Sequence, residues 1–373
     1  MELDSLFTIF PGKHLWIFGA IALNLIRIPF WLIYYVPSVT RPSPKWTYTQ
    51  ALRIRIIKAF VKSVSITKSA TIINLLPGAE GSRFLTIHPA SSSRYQGVTI
   101  TNSEIKPEII GGTWYPHQPS SGKDAGDVVL HFHGGAYVVG DGRTQDAGFC
   151  AETLIANSSA SFVFCPQYRL ASSPGGRFPA ALQDAITSFS YLNETMGIKA
   201  ENIVVSGDSA GGNLTMALLR YLHDNPNVGL PNPGCAWLWS PWVDPVSTIV
   251  EGIFHASPYS RTDYLHEGFG IWGARGLTPL EGTGVELSHP NISFVGNPFK
   301  ISTPLFFSTG ECEVLFDDVV KVHNQFTEAG NKTELQIEEG AVHDIILIGN
   351  LLGFKEEARL AAKRAGKFWE RNR

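Results

Sequence analysis

The chain reads as an α/β protein: one mostly parallel central sheet covered by helices on both faces, with a cap. Three observations predict it. From Asp127 onward short β-rich runs recur, namely DVVLHFH, SFVFCP, NIVVSG, CAWLWS, PLFFSTG and TELQIEE. Most are continuously apolar, as strands buried on both faces of a parallel sheet are. Between them lie segments of helical length such as FPAALQDAITSFSYLN and GNLTMALLRYLHD, and this alternation builds a doubly covered sheet. Lastly, 373 residues can bury a large core, and α/β chains of this size often run as one domain with insertions.

Taken from the N-terminus, residues 1–40 form an apolar segment, expected to be membrane-associated or part of the cap. Between Asp4 and Glu80 there is no acidic residue, and LWIFGAIALNLIRIPFWLIYYV, residues 15–36, has the length of a membrane span. Asn24, Arg27 and Pro29 interrupt it, and a charge at mid-membrane costs roughly 3 kcal/mol. An interfacial helix is the second reading, since Trp16, Phe30, Trp31, Tyr34 and Tyr35 are residue types of membrane–water boundaries. An apolar helix packed over the active site is the third. The expected location is a membrane, that of the endoplasmic reticulum, with the side open. Arg41, Lys45, Arg53, Arg55, Lys58, Lys62 and Lys68 follow the run and favour the cytosol, or a contact with anionic headgroups. The N-x-S/T triplets at Asn157, Asn193, Asn213, Asn291 and Asn331 would suit a lumenal glycoprotein.

Residues 41–125 read as a basic linker with further cap or N-terminal structure, and residues 126–373 as the catalytic domain. Within it residues 246–297, rich in Gly, Pro, His and aromatics, break the strand–helix rhythm and are too long for a connection, so a cap insertion over the site is expected. LGFKEEARLAAKRAGKFWERNR at the C-terminus is an amphipathic helix for the sheet surface.

The composition is that of an ordered protein with above-average apolar content, 44% hydrophobic and 11% aromatic, which points to a greasy substrate or a membrane. A formal net charge of −3 offers no footprint for nucleic acid. Cys150, Cys165, Cys235 and Cys312 are scattered without CxxC or His at ligand spacing, so no metal site is signalled. Cys165 and Cys235, in strand-like runs, read as buried small residues.

The sharpest chemical signal is Gly207-Asp208-Ser209-Ala210-Gly211, placed directly after a strand and before a helix. There a G-x-S-x-G is a nucleophile elbow, which lifts the Ser209 hydroxyl out of the sheet. Elsewhere it would be a glycine-rich turn with an N-capping serine. Upstream, His133-Gly134-Gly135-Ala136 ends a strand, and a glycine-rich loop can bring backbone N–H groups to a reacting carbonyl. Gly134, Gly135 and Ala136 with Ala210 are the candidate oxyanion hole; His133, Asp208, Gly207 and Gly211 support the two motifs. The base is expected last in the chain. His343, after the strand TELQIEE, fits, whereas His255, His266, His289 and His323 read as ordinary surface or core histidines. For the acid the loop after PLFFSTG offers Glu311, Glu313, Asp317 and Asp318.

HGGA at 133–136, YRLA at 168–171, FPAALQDA at 178–185, GDSAGGN at 207–213 and SPWVD at 240–244 together resemble the hormone-sensitive-lipase-like branch of the α/β-hydrolases, over about residues 126–370. The resemblance implies carboxylic-ester hydrolysis through an acyl-enzyme, a cap over acyl and alcohol pockets, and no cofactor. It aligns Glu313-Val314-Leu315-Phe316-Asp317 with a D-P-L-x-D motif, which makes Glu313 the catalytic acid and Asp317 the alternative. A third glycine of the oxyanion loop is replaced by Ala136, acceptable there if its φ stays negative, and YRLASSPGG departs at the pocket rim. An apolar N-terminus ahead of such a domain is similar to fungal-type membrane-associated deacetylases of sterols or natural products. The expected partner is a small apolar ester, a short acyl group on a bulky alcohol, met by aromatics such as Phe254, Tyr259, Tyr264, Phe269 and Trp272. Acyl transfer or condensation with the same residues, and a ligand-binding receptor on a disabled hydrolase, are the alternatives.

Overall fold

A computed structural model describes residues 6–100 and 103–373; residues 1–5 of the apolar segment lie outside the described residues. Eight strands form one sheet: β1 (Phe84–Ile87), β2 (Ile110–Tyr115), β3 (Val128–Phe132), β4 (Phe162–Gln167), β5 (Ile203–Asp208), β6 (Cys235–Trp239), β7 (Leu305–Gly310) and β8 (Thr333–Glu338). Their order is β1-β2-β4-β3-β5-β6-β7-β8. β2 runs antiparallel to β1 and β4, and every pair from β4 to β8 is parallel. This is the α/β-hydrolase architecture expected from the run of buried strands.

The strands are apolar throughout because each face of the sheet has its own core. Val128, Leu130, Phe132, Ile203 and Val205 point into one, and Val129, Val204, Trp237 and Trp239 into the other. The first is covered by α4 (Ala180–Ser190), α5 (Ala210–Asp224) and α7 (Phe316–Glu328), the second by α3 (Thr144–Asn157) and α9 (Lys355–Asn372). In α9 the small residues Ala358, Ala361, Ala362 and Ala365 lie buried beside Phe368 and Trp369, the apolar stripe of its sequence.

The sheet begins before residue 126, where the catalytic domain was expected to start, since β1 and β2 come from the presumed linker. β2 reads IGGTWY, and its glycine pair hides it from a β-propensity reading. Packing requires the pair: a Cβ on Gly112 would lie 2.2 Å from Phe164 Cζ.

The N-terminal run forms α1 (Gly12–Tyr34), long and apolar enough by length and composition to cross a membrane. Trp31 is its one buried residue, while Leu15, Phe18, Leu25, Ile26, Phe30 and Ile33 are exposed, so α1 does not pack over the site as an apolar cap would. Its root is anchored: Trp31 and Tyr35 share a cluster with Trp46, with Ile54 of α2 (Tyr48–Thr67), and with Ala341 and Val342 beside His343. A capping box of Thr47 and Gln50 starts α2, and Trp46 Nε1 donates to the Gly340 carbonyl at 2.6 Å.

The triplets read as glycosylation sites are mostly structural. Asn213, Asn291 and Asn331 are buried. Asn213 donates to the Trp242 and Ile292 carbonyls, both at 2.8 Å, and accepts from the Tyr137 hydroxyl at 2.9 Å. A glycan there would displace the core. Asn157 and Asn193 are half-buried, with their amides on nearby carbonyls.

Candidate active site

Between β5 and α5 the chain turns so sharply that Ser209 adopts φ 50°, ψ −114°. For a residue with a side chain such a conformation costs of order 1–3 kcal/mol and persists only when its surroundings enforce it. Here they do. Ser209 N donates to the Trp239 carbonyl at 2.9 Å, and the Ser209 carbonyl accepts from Trp242 N at 2.8 Å. Both flanking glycines are steric necessities: a Cβ on Gly207 would lie 2.1 Å from the Gly211 carbonyl oxygen, and one on Gly211 1.9 Å from that of Phe132.

His343, on the loop between β8 and α8 (Ile345–Leu352), brings Nε2 to 2.9 Å from Ser209 Oγ, and its Nδ1 stands 3.0 Å from Glu313 Oε2. The other Glu313 oxygen accepts from the Thr309 hydroxyl. Glu313 and His343 are buried, whereas Asp317 is exposed in the first turn of α7 and Glu311 is tied to Lys45 at 2.8 Å. Burial alone would lower the His343 pKa; the Glu313 hydrogen bond and charge outweigh it, Asp263 and Asp344 add to them, and the ring is held up to about 9.

The HGGA loop rests on a stack of His133 over Tyr168, ring centroids 4.3 Å apart, with the Tyr168 hydroxyl donating to the His133 carbonyl at 2.6 Å. The YRLA and FPAALQDA motifs meet in one buried ion pair, Arg169 Nη2 to Asp184 Oδ1 at 2.8 Å, which holds that tyrosine in place. Among the described residues the N–H groups of Gly135, Ala136 and Ala210 find no protein acceptor. Gly134 packs tightly against the residue before the serine, since a Cβ there would lie 2.2 Å from Asp208 Oδ2. Ala136 also departs, with φ +52°, because the loop runs left-handed through Gly135, Ala136 and Tyr137. Alanine accepts this at a cost of roughly 1–2 kcal/mol. The loop is locked by Tyr137, whose carbonyl accepts from Ala171 N at 2.7 Å.

Two cavities meet this loop. One, of about 20 Å³, lies at Ser209 and is lined by Ala136, Trp242, Phe254, Leu265, Phe269 and Leu315. The other is a cleft of about 760 Å³, lined by Gly134 and Gly135 and by Phe60, Val64, Phe149 and Leu347. Phe254, Leu265 and Phe269 come from the 246–297 segment, whose main helix is α6 (Glu267–Leu277). Sequence reading missed Asp263, Asp344 and His131, all buried near the serine or histidine. Asp344 follows His343 directly, but nothing in its local sequence marks it as buried.

Comparison with known proteins agrees with this geometry. Residues 129–347 match a family described as alpha/beta hydrolase fold. An acetyl-hydrolase of Streptomyces hygroscopicus is 28% identical over 57% of this chain and 66% of its own length. An ethyl acetate hydrolase of Pseudomonas putida is 27% identical over 62% and 70%. The crystal structure of an esterase/lipase from an uncultured bacterium superposes with a TM-score of 0.60 at 23% identity, covering 93% of this chain and 97% of that one, which supports the fold. The chain belongs to the α/β hydrolase fold family. Its class is that of the carboxylic ester hydrolases.

With His343 as the proposed base, the pH dependence of that activity follows from its ring. A base must be neutral to accept a proton, so with the ring near 9 the rate should rise with pH through the neutral range and level off above about 9. Glu313→Gln removes the interaction that raises the pKa, so the acid limb of kcat/KM on p-nitrophenyl acetate should move to lower pH. Its kcat should fall by orders of magnitude, on the order of 10⁴ where a triad loses its carboxylate, and Asp317→Asn should lose far less. A limb that stays in place, or the reverse ranking of the two variants, contradicts the assignment of the acid.

Proposed function

We propose that the protein is a serine esterase that removes a short, acetyl-sized acyl group from a bulky apolar alcohol through an acyl-enzyme. The hydrogen-bonded series Glu313, His343, Ser209 at the strained turn carries this reading. Ser209 Oγ attacks the ester carbonyl and its proton passes to His343 Nε2, while Glu313 holds Nδ1–H and stabilises the cationic ring. The oxyanion is held by the N–H groups of Gly135, Ala136 and Ala210. Collapse breaks the ester C–O bond, and His343 returns its proton to the departing alcohol oxygen. A water, deprotonated by His343, then cleaves the acyl-serine to release the acid.

The substrate class rests on the inequality of the two cavities. One water needs about 10–15 Å³ measured this way, so about 20 Å³ at Ser209 suits a methyl group and little more. The cleft of about 760 Å³ is within the size range of small-molecule pockets, and it takes the alcohol. The printed name of the Streptomyces relative, acetyl-hydrolase, points the same way. The exposed apolar side chains of α1 support a membrane anchor that brings the cleft near lipid-soluble esters.

Three results test this. Ser209→Ala should abolish turnover of p-nitrophenyl acetate with an unchanged circular dichroism spectrum; a folded variant that still turns over rejects the nucleophile. Ala136→Gly deletes a methyl group from the small cavity, so turnover of the butyrate ester relative to the acetate should rise, and an unchanged ratio would separate that cavity from acyl selection. The full chain should sediment with membranes. A chain lacking residues 1–27 keeps Trp31 and Tyr35 at the root and should remain in the supernatant with full turnover; loss of turnover would make α1 part of the catalytic structure.

A further inference from the structure

Glu313 is held through its backbone as well as through its carboxylate. The bond within its own turn is long, Glu313 N to the Gly310 carbonyl at 3.4 Å. The two peptide groups that flank its Cα are instead tied to successive residues of the 246–297 segment. The Cys312 carbonyl accepts from the Thr262 hydroxyl at 2.9 Å, and the Val314 N–H donates to Asp263 Oδ2 at 2.8 Å. With both peptide planes tied, the direction of the Glu313 Cα–Cβ bond is set, and with it the approach of the carboxylate to His343 Nδ1, 3.0 Å away.

Asp263 is suited to such a part. It is fully buried, and its other oxygen accepts from the N–H groups of Tyr264 at 2.7 Å and Leu265 at 3.4 Å. A carboxylate offers two oxygens to these donors, where an amide would offer one. The turn that carries it is fastened from outside, since Lys58 of α2 donates to the Ser260 carbonyl and, at 2.8 Å, to that of Asp263. The Tyr264 ring follows beside the His343 imidazole, centroids 5.9 Å apart, and Leu265 lines the small cavity at Ser209. Four consecutive residues thus reach the loop of the proposed acid, the ring of the proposed base and the acyl cavity.

We propose that Thr262 and Asp263 are positioning residues that hold Glu313 against His343 by gripping the peptide on each side of it. The inference rests on the proposed role of Glu313 as the acid. Its consequence is that the segment walling the small cavity cannot swing off Ser209 without releasing that acid.

Asp263→Ala removes the acceptor of the Val314 N–H, and Thr262→Val removes one hydroxyl with little change of shape and none of charge. Per site titrated with a fluorophosphonate, kcat on p-nitrophenyl acetate should fall on the order of 10- to 100-fold in the first, the scale of a 1 Å misplacement. It should fall about 5-fold in the second, the worth of one hydrogen bond, with KM little changed in both, and Thr262→Ser should restore it. In a Glu313→Ala background the added Asp263→Ala should cost no more than about twofold, because the group it positions is gone. A general loss of packing, or a direct effect of the Asp263 charge on His343, would persist there. Independently of turnover, deuterium exchange in a peptide spanning residues 312–316 should be faster in Asp263→Ala. Wild-type kcat in both single variants, an equal loss with and without Glu313, or unchanged exchange would each overturn the clamp. If Asp263→Ala does not fold, the Thr262 pair decides. Wild-type turnover in Glu313→Ala alone rejects the proposed acid instead, and the exchange result still decides whether the loop is clamped.

Discussion

Everything at the site depends on one close approach of backbones. Where β5 passes into α5, Gly211 rests against the Phe132 carbonyl at the end of β3 and Gly207 against the first turn of the helix. No side chain fits in either place. That contact forces Ser209 to positive φ and stands its hydroxyl clear of the sheet, and it brings the oxyanion loop alongside, since that loop starts one residue after Phe132. The proposed nucleophile and oxyanion donors are therefore placed by one steric constraint, not by two that would have to agree. The neighbouring strand β6 completes it, with Trp239 and Trp242 bonding both sides of the serine peptide.

Around this rigid point the electrostatics are unusually one-sided. Glu313, Asp263, Asp208 and Asp344 are buried close to a single basic ring, His343. Burial opposes charge on every one of them. Glu313 is matched by the His343 hydrogen bond and by the Thr309 hydroxyl. Asp263 is matched by backbone N–H groups of Tyr264 and Val314, at 2.7 and 2.8 Å. Asp344 accepts from Leu347 N–H at 3.3 Å as the N-cap of α8. The outcome is a His343 ring whose cationic form is favoured first by Glu313 and then by Asp263, the form that the proposed base would have after accepting a proton.

The N-terminal segment is tied to this centre more closely than its exposure suggests. The root of α1 packs on Ala341 and Val342, directly before His343, and α2 supplies Phe60 and Val64 to the wide cleft. A displacement of α1 therefore bears on the His343 loop and on the cleft wall. Side chains far from the serine, in a segment without acidic residues, thus line the cleft proposed for the alcohol.

Much of this was legible in the chain itself. Strands β3 to β8 announce themselves as apolar runs because a doubly covered sheet buries both faces of each strand. Ser209 and His343 are marked by small residues at a strand end and by chain order, since the elbow needs glycine on each side whatever surrounds it. Glu313 needed the family resemblance to single it out from Glu311, Asp317 and Asp318. What escaped depends on contacts between distant segments. β2 is hidden by Gly111 and Gly112, which are kept small by Phe84 and Gln167 at the first and by Phe164 at the second. The positive φ of Ala136 and the burial of Asn213, Asn291 and Asn331 follow from packing that no local pattern encodes. Local sequence determined the strands and the turn that presents the serine, because those follow from periodicity and backbone sterics within a few residues. Only the tertiary structure decided which carboxylate meets His343 and which faces water, because the state of a charge is set by what folds against it.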